Sequence, residues 1–206
     1  MATTVGDFYD AGREQLQLEV VQGEAYLGRV IPEPALNRPG LALAGFFQYF
    51  AHKRIQVLGL AELTYLKSLE EEEREERIKQ FYKTHIPAVV ITRGRKVPGP
   101  LLSIGEELHV PVLRTRQITM NFINAATIIL EDLSSPTMRM HGTMLDIMGM
   151  GVLIKGDPGL GKSEIGLALI ERGHSLVADD VTVLNRDRWG AIMCSALDVT
   201  RYHMEI

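Results

Sequence analysis

The chain has 206 residues, enough for one large domain or two small ones with a buried core. Apolar residues make up 46% and charged residues 23%, ordinary values for a soluble globular protein. The net charge of −4 argues against a basic footprint for nucleic acid and against a polybasic membrane anchor; phosphate binding stays open, because a loop and a helix N-terminus supply positive field locally.

Cys194 is the only cysteine, so no intramolecular disulfide framework can form, and a small buried thiol in a reducing compartment is expected. The N-terminus lacks the basic-then-apolar pattern of a signal peptide, with Gly12, Arg13 and Glu14 following early. No run approaches the roughly 20 apolar residues that span a bilayer. A cytoplasmic protein, with neither membrane nor nucleic acid as partner, is the expectation.

In chain order, Leu16 to Val21 alternates at first and reads as a strand closed by Gly23. Pro32, Pro34, Pro39 and Gly40 mark a loop. Lys67 to Lys83 reads as one helix, stopped by Pro87 and followed by a buried strand from Ala88 to Thr92. Within that helix Glu70 with Arg74 and Glu73 with Arg77 fall at i, i+4, so the acidic run reads as a solvated face. After a loop at Pro98, Gly99 and Pro100 come a short helix near Leu101 to Leu108, a strand at Val110 to Arg114, and a helix from about Ile118 to Leu130. Strands alternating with helices suggest a small parallel α/β unit. Ser134, Ser135 and Pro136 interrupt the pattern and mark a domain boundary; beyond them, Thr143 to Met148 and Gly151 to Lys155 read as a hairpin around Gly149.

The second strand of that hairpin feeds Gly156-Asp157-Pro158-Gly159-Leu160-Gly161-Lys162-Ser163, which satisfies the phosphate-loop pattern G-x-x-x-x-G-K-[ST] at every fixed position. A helix from Ser163 to Arg172 follows, with Ile165, Ala168 and Leu169 on one face and Gly173 as its cap. Glycines let several backbone N–H groups turn inward with no Cβ in the way of a phosphate. Lys162 adds a mobile charge for the outer phosphates, and the Ser163 hydroxyl is the usual ligand for Mg²⁺. The bland alternative is a glycine-rich turn with a coincidental Lys-Ser. Asp179 and Asp180 close the strand Ser175 to Ala178, where ligands bind in open α/β folds. They could hold metal-bound water or take a proton from an attacking hydroxyl, or merely start a turn; pleating should send them to opposite sides. His141 and His174 read alone as a surface histidine and a helix-dipole partner.

The run from His141 to Asp180 (His-Gly-Thr-Met-Leu-Asp, the phosphate loop, then Glu-Arg-Gly-His-Ser-Leu-Val-Ala-Asp-Asp) closely resembles HPr kinase/phosphorylase, a bacterial family acting on a serine of the phosphocarrier HPr. Arg38-Pro39-Gly40-Leu41-Ala42-Leu43-Ala44-Gly45-Phe46-Phe47 and Arg54-Ile55-Gln56-Val57-Leu58-Gly59 resemble its N-terminal signature, so the likeness covers nearly the whole chain. The resemblance implies that Lys162 and Ser163 are the phosphate-loop lysine and Mg²⁺ ligand, and that Asp180 is the acid/base residue. It also implies that His141 works with that aspartate and that Glu205, in Met204-Glu205-Ile206, is a second Mg²⁺ ligand.

The fold expected is α/β: a small N-terminal parallel α/β domain over residues 1–133, regulatory or structural, then a phosphate-loop kinase-like domain over 134–206, incomplete at its C-terminus. Implied with it are ATP or pyrophosphate with Mg²⁺, HPr as acceptor, phosphorolysis of the product, and a homo-hexamer. Two departures stand out. Pro158 replaces a small hydroxyl residue and removes one N–H from the phosphate cradle, so an altered phosphate preference is expected. The sequence also ends as the family's Glu-Ile-Arg-Gly motif begins, leaving a later catalytic arginine and the HPr-facing helices without counterparts; a fragment or a truncated protein is expected. The rival readings are a nucleotide-sensing or oligomerisation module without turnover, and a related kinase with another acceptor.

Overall fold

A computed structural model describes residues 2–186 and 190–197. The chain divides into two compact units, Met1–Ser134 and Ser135–Ile206.

The first unit is built on five strands: β1 (Leu18–Gln22), β2 (Leu36–Asn37), β3 (Ile55–Leu58), β4 (Val89–Ile91) and β5 (Val112–Thr115). Their order is β1-β5-β4-β3-β2, with β2 to β5 parallel and β1 antiparallel on the edge. Period-two alternation splits the core. Val57, Val90 and Leu113 face α1 (Val5–Gly12) and α6 (Thr119–Ser134), packing with Phe8 and Phe122. Leu58, Val89, Ile91 and Val112 face α3 (Leu60–Ser68), α4 (Glu71–Tyr82) and α5 (Gly99–Glu107), the short α2 (Gly40–Leu43) joining them. Both faces are covered, which is why β3 and β4 read as unbroken apolar runs but for Gln56. Each fully buried Phe or Leu here is worth roughly 1.5–3 kcal/mol of burial. Gln56 is satisfied by the carbonyls of Ala51 and Arg54 and by Asn37.

Several expected elements shift. The strand expected from Leu16 begins at Leu18, because Gln17 has a φ of 51° that ends extended pairing before it. The single helix expected over Lys67 to Lys83 is two helices: Leu69 and Glu70 are extended, with ψ of 147° and 156°, and no proline or glycine announces the break. Glu70 therefore stands outside α4 and makes no ion pair with Arg74, whereas Glu73 and Arg77 pair at 3.4 Å as expected. Gly99 and Pro100, expected in a loop, form the first turn of α5, where proline's missing N–H costs nothing.

The second unit has β6 (Thr137–His141), β7 (Thr143–Ile147), β8 (Met150–Ile154), α7 (Lys162–Ile170), β9 (Ser175–Ala178), β10 (Val181–Arg186) and β11 (Ile192–Ala196). They form two sheets, β8-β7-β9 and β11-β10-β6. β7 and β8 are the expected hairpin, turning through Met148 and Gly149 with φ of 55° and 83°, the left-handed pair a two-residue hairpin requires. α7 ends on Gly173 at φ 92°, with the His174 N–H reaching back to Leu169 and the Gly173 N–H to Ile170, a Schellman closure. The apolar face expected of α7 is only partly realised: Ile165 is exposed and Gly166 is the buried position.

Candidate functional site

β7 pairs antiparallel with both β8 and β9, so β8 and β9 run parallel to each other on its two sides. Their carboxyl ends therefore lie at one edge of the sheet, together with the start of β7. The glycine loop leaves from β8 at that edge and Asp179 follows β9 there. Thr143, which opens β7, completes the corner.

Gly159 and Gly161 adopt φ of 81° and 79°, the left-handed region where a side chain would be strained, and a Cβ on Gly159 would meet no atom within 4 Å. The loop is thus curled and open on one side. Lys162, first residue of α7, folds its ammonium back to the Asp157 carbonyl at 3.0 Å, a contact an anion could displace. Pro158 sits exposed on the loop.

The two aspartates part company. Asp179 is buried; its carboxylate accepts from the Thr143 hydroxyl at 2.7 Å and lies 3.5 Å from the Ser163 hydroxyl. Asp180 has a φ of 66° and turns outward into solvent, 3.6 Å from His141 Nδ1. The divergence expected from pleating is real, but its cause is this left-handed residue in the turn joining β9 to β10. His141 reaches Asp180 because β6 and β10 pair with His141 opposite Val181, and the Gly142 N–H donates to the Asp180 carbonyl at 2.9 Å. Sequence spacing could not have joined residues 39 places apart.

The family resemblance implies a role for Asp180 and none for Asp179. A buried carboxylate next to the serine of a glycine loop offers two hard oxygen donors beside the space a phosphate would occupy, and Mg²⁺ is characteristically held by few protein oxygens plus substrate phosphates. Among the described residues no group of three or more His, Cys, Asp or Glu could by itself hold a metal ion. The donor set fits. Glu205, expected as a further ligand, lies outside the described residues.

The first-unit signature residues have structural work. Arg38 makes a two-pronged ion pair with Glu62, whose side chain is only 4% exposed and which also accepts from the Gly59 N–H. A Cβ on Gly59 would stand 2.6 Å from the Thr119 hydroxyl, so close approach, not φ, demands glycine there.

Strand, curled glycine loop and helix facing an acidic strand end suit an α/β protein that handles phosphoryl groups. The chain belongs to the HPr serine kinase family: residues 4–130 match the model of the HPr Serine kinase N terminus and residues 132–206 that of the HPr Serine kinase C-terminal domain. It is similar to the HPr kinase/phosphorylase of Bacillus mycoides (strain KBAB4), 41% identical over 193 residues, 94% of this chain and 62% of that protein. The HPr kinase/phosphorylase of Exiguobacterium sp. is 42% identical with the same coverage. The chain thus spans about 62% of the length of the curated relatives it matches. The solved Hpr(Ser) kinase/phosphatase of Coxiella burnetii aligns over 34% of this chain and 41% of its own, at 42% identity and a TM-score of 0.32. Among the described residues no helix is long and apolar enough to cross a membrane.

Proposed function

We propose that the protein is a bifunctional HPr(Ser) kinase/phosphorylase, transferring a phosphoryl group from ATP or pyrophosphate to a serine of HPr and removing it by phosphorolysis. The observation that carries the reading is the meeting of the glycine loop, Ser163 and Asp179 at one sheet edge, with the Asp180–His141 pair beside it.

The loop's inward N–H groups and Lys162 hold the donor's phosphates and stabilise the charge that builds on them during transfer. Ser163 and Asp179 are the described residues that would hold Mg²⁺, with Glu205 a further candidate. When bound, the ion neutralises phosphate charge. Asp180 accepts the proton of the acceptor serine as its oxygen attacks the terminal phosphorus, and His141 orients that carboxylate. In the reverse direction inorganic phosphate attacks phosphoserine, pyrophosphate forms, and Asp180 returns the proton to the departing serine oxygen. Pro158 leaves the cradle one N–H short, so the preference between ATP and pyrophosphate is expected to differ from that of relatives with a hydroxyl residue there. The reading carries with it a cytoplasmic, homo-oligomeric protein, and a regulatory or structural role for residues 1–133.

The test is phosphoryl transfer to HPr from ATP and from pyrophosphate, with total cell protein as a parallel acceptor, using this chain and a protein extended past Ile206. Asp180→Asn is expected to abolish both directions in the extended protein while leaving ATP binding nearly intact. Retained phosphorolysis would refute the shared-proton role. Labelling of another protein in place of HPr would overturn the acceptor, and nucleotide binding without transfer by the extended protein would favour a sensing module.

A further inference from the structure

We propose that the first unit carries a second anion site, a cleft for a small organic phosphate bearing two or more negative charges. The cleft has a volume of about 590 Å³, within the range of small-molecule sites, and is lined in part by Lys67, Arg74, Arg95 and Lys96 over an apolar floor that includes Leu63 and Val97.

Its position follows from the topology. α3 departs from the carboxyl end of β3, and the connection holding Arg95 and Lys96 departs from the carboxyl end of β4; β3 and β4 are parallel neighbours. Both connections start at the carboxyl edge of the sheet and run on the same face of it, so their first residues meet across one cleft. The first turn of α5 forms one wall, its positive end adding to the four cations.

The charges are unbalanced. No acid lines the cleft, and none of the four cations takes part in an ion pair among the described residues. Glu70, Glu71, Glu72 and Glu75 line a separate depression. The Glu70 carbonyl accepts from the Arg74 backbone N–H at 2.9 Å but its carboxylate makes no ion pair with Arg74, and the Arg74 Nε is shut off from water with no hydrogen-bond partner. An anion in the cleft would give that half-buried guanidinium a counter-charge and an acceptor for its N–H groups. Val97 is buried and Leu63 half-buried, so the floor can take the carbon skeleton that inorganic phosphate lacks. The cleft lies in the other unit from the glycine loop and shares no residue with it, so the inference stands whether or not that loop binds nucleotide.

The experiment is an amide-shift titration by NMR of the Lys162→Ala chain without Mg²⁺, which silences the glycine loop. The probes are AMP, glucose 6-phosphate and inorganic phosphate. At least one organic phosphate is expected to give saturable shifts at Lys96, Val97 and Gly99, about tenfold tighter than inorganic phosphate. Arg74→Gln with Lys96→Gln should weaken it about tenfold. Arg95→Gln, at an exposed position that folding does not depend on, should weaken it about threefold and keeps the test decisive if the double variant does not fold. No saturable shift with either organic probe, equal affinity for inorganic phosphate, or affinity unchanged in the variants overturns the proposal.

Discussion

Asp179→Ala separates the two aspartates most sharply. In the structure Asp179 is 6% exposed and accepts from Thr143, itself 1% exposed, at 2.7 Å. Removing the carboxylate forfeits a charge-assisted hydrogen bond and leaves a buried hydroxyl without that acceptor, each worth about 1–3 kcal/mol. Part of the loss is recovered because a charge no longer has to be desolvated, so the net expectation is about 2 kcal/mol, roughly thirtyfold in the folding constant. Asp180→Ala removes a side chain 77% exposed and should stay within about 0.5 kcal/mol of the parent. The assay is equilibrium urea unfolding followed by fluorescence of Trp189, the chain's one tryptophan, which belongs by sequence to the second unit. With a slope of about 1 kcal/mol per molar urea, Asp179→Ala should lower the midpoint by about 2 M and Asp180→Ala by less than about 0.5 M. A cycle with Thr143→Val should return a coupling of about 1 kcal/mol or more. Equal midpoints for the two alanine variants, or a coupling near zero, would refute the separation of a buried, structural Asp179 from a solvent-facing Asp180.

Two further outcomes test the first unit. Thr4 caps α1 through a reciprocal box with Asp7, whose carboxyl is held below the ordinary aspartate range by the Thr4 hydroxyl and then by the Thr4 N–H. Because the folded-state value is depressed, this stabilisation is present above the unfolded aspartate's titration and lost as pH falls through the folded one. Thr4→Ala should therefore cost about 1 kcal/mol at neutral pH by thermal melting and detectably less near pH 2, where the bond from the Asp7 N–H to the Thr4 hydroxyl is what remains to be lost; a cost independent of pH would contradict the charged part of the cap. Gly59→Ala drives a methyl against the Thr119 hydroxyl and should destabilise by about 1–3 kcal/mol in the same assay, while Gly59→Ala with Thr119→Ser leaves the clash in place and gives no rescue.

What could be read from the sequence is what the chain encodes locally. The hairpin, the glycine loop, α7 and β9 follow one another with little tertiary help, each punctuated by a glycine or a strand-to-helix change of period. β3 carries less local signal: Ile55 to Leu58 is buried on both faces, so it shows no alternation, and its only marker in the sequence is its likeness to a family signature. β2 and α2 are too short to carry a period, and the proline-rich stretch around them reads as loop. The break at Leu69 and Glu70 has no sequence marker because it is imposed by packing: Leu66 of α3 and Ile78 and Phe81 of α4 must both reach one core. At the site, the signal for Asp179 was present in its place at a strand end. Its partnership with Thr143 and Ser163 was not, since it depends on β7 lying between β8 and β9. The His141–Asp180 pair likewise arises from strand register, and only the family resemblance had linked the two.

The central claim is that the curled loop ahead of Lys162 holds phosphates together with Mg²⁺. Isothermal titration of the chain with ATP and with pyrophosphate, each with and without Mg²⁺, tests it most directly. Saturable, Mg²⁺-dependent heat that falls at least about tenfold in affinity with Lys162→Ala is the predicted result. Absence of heat with both ligands, or an isotherm that Lys162→Ala leaves unchanged, would contradict it.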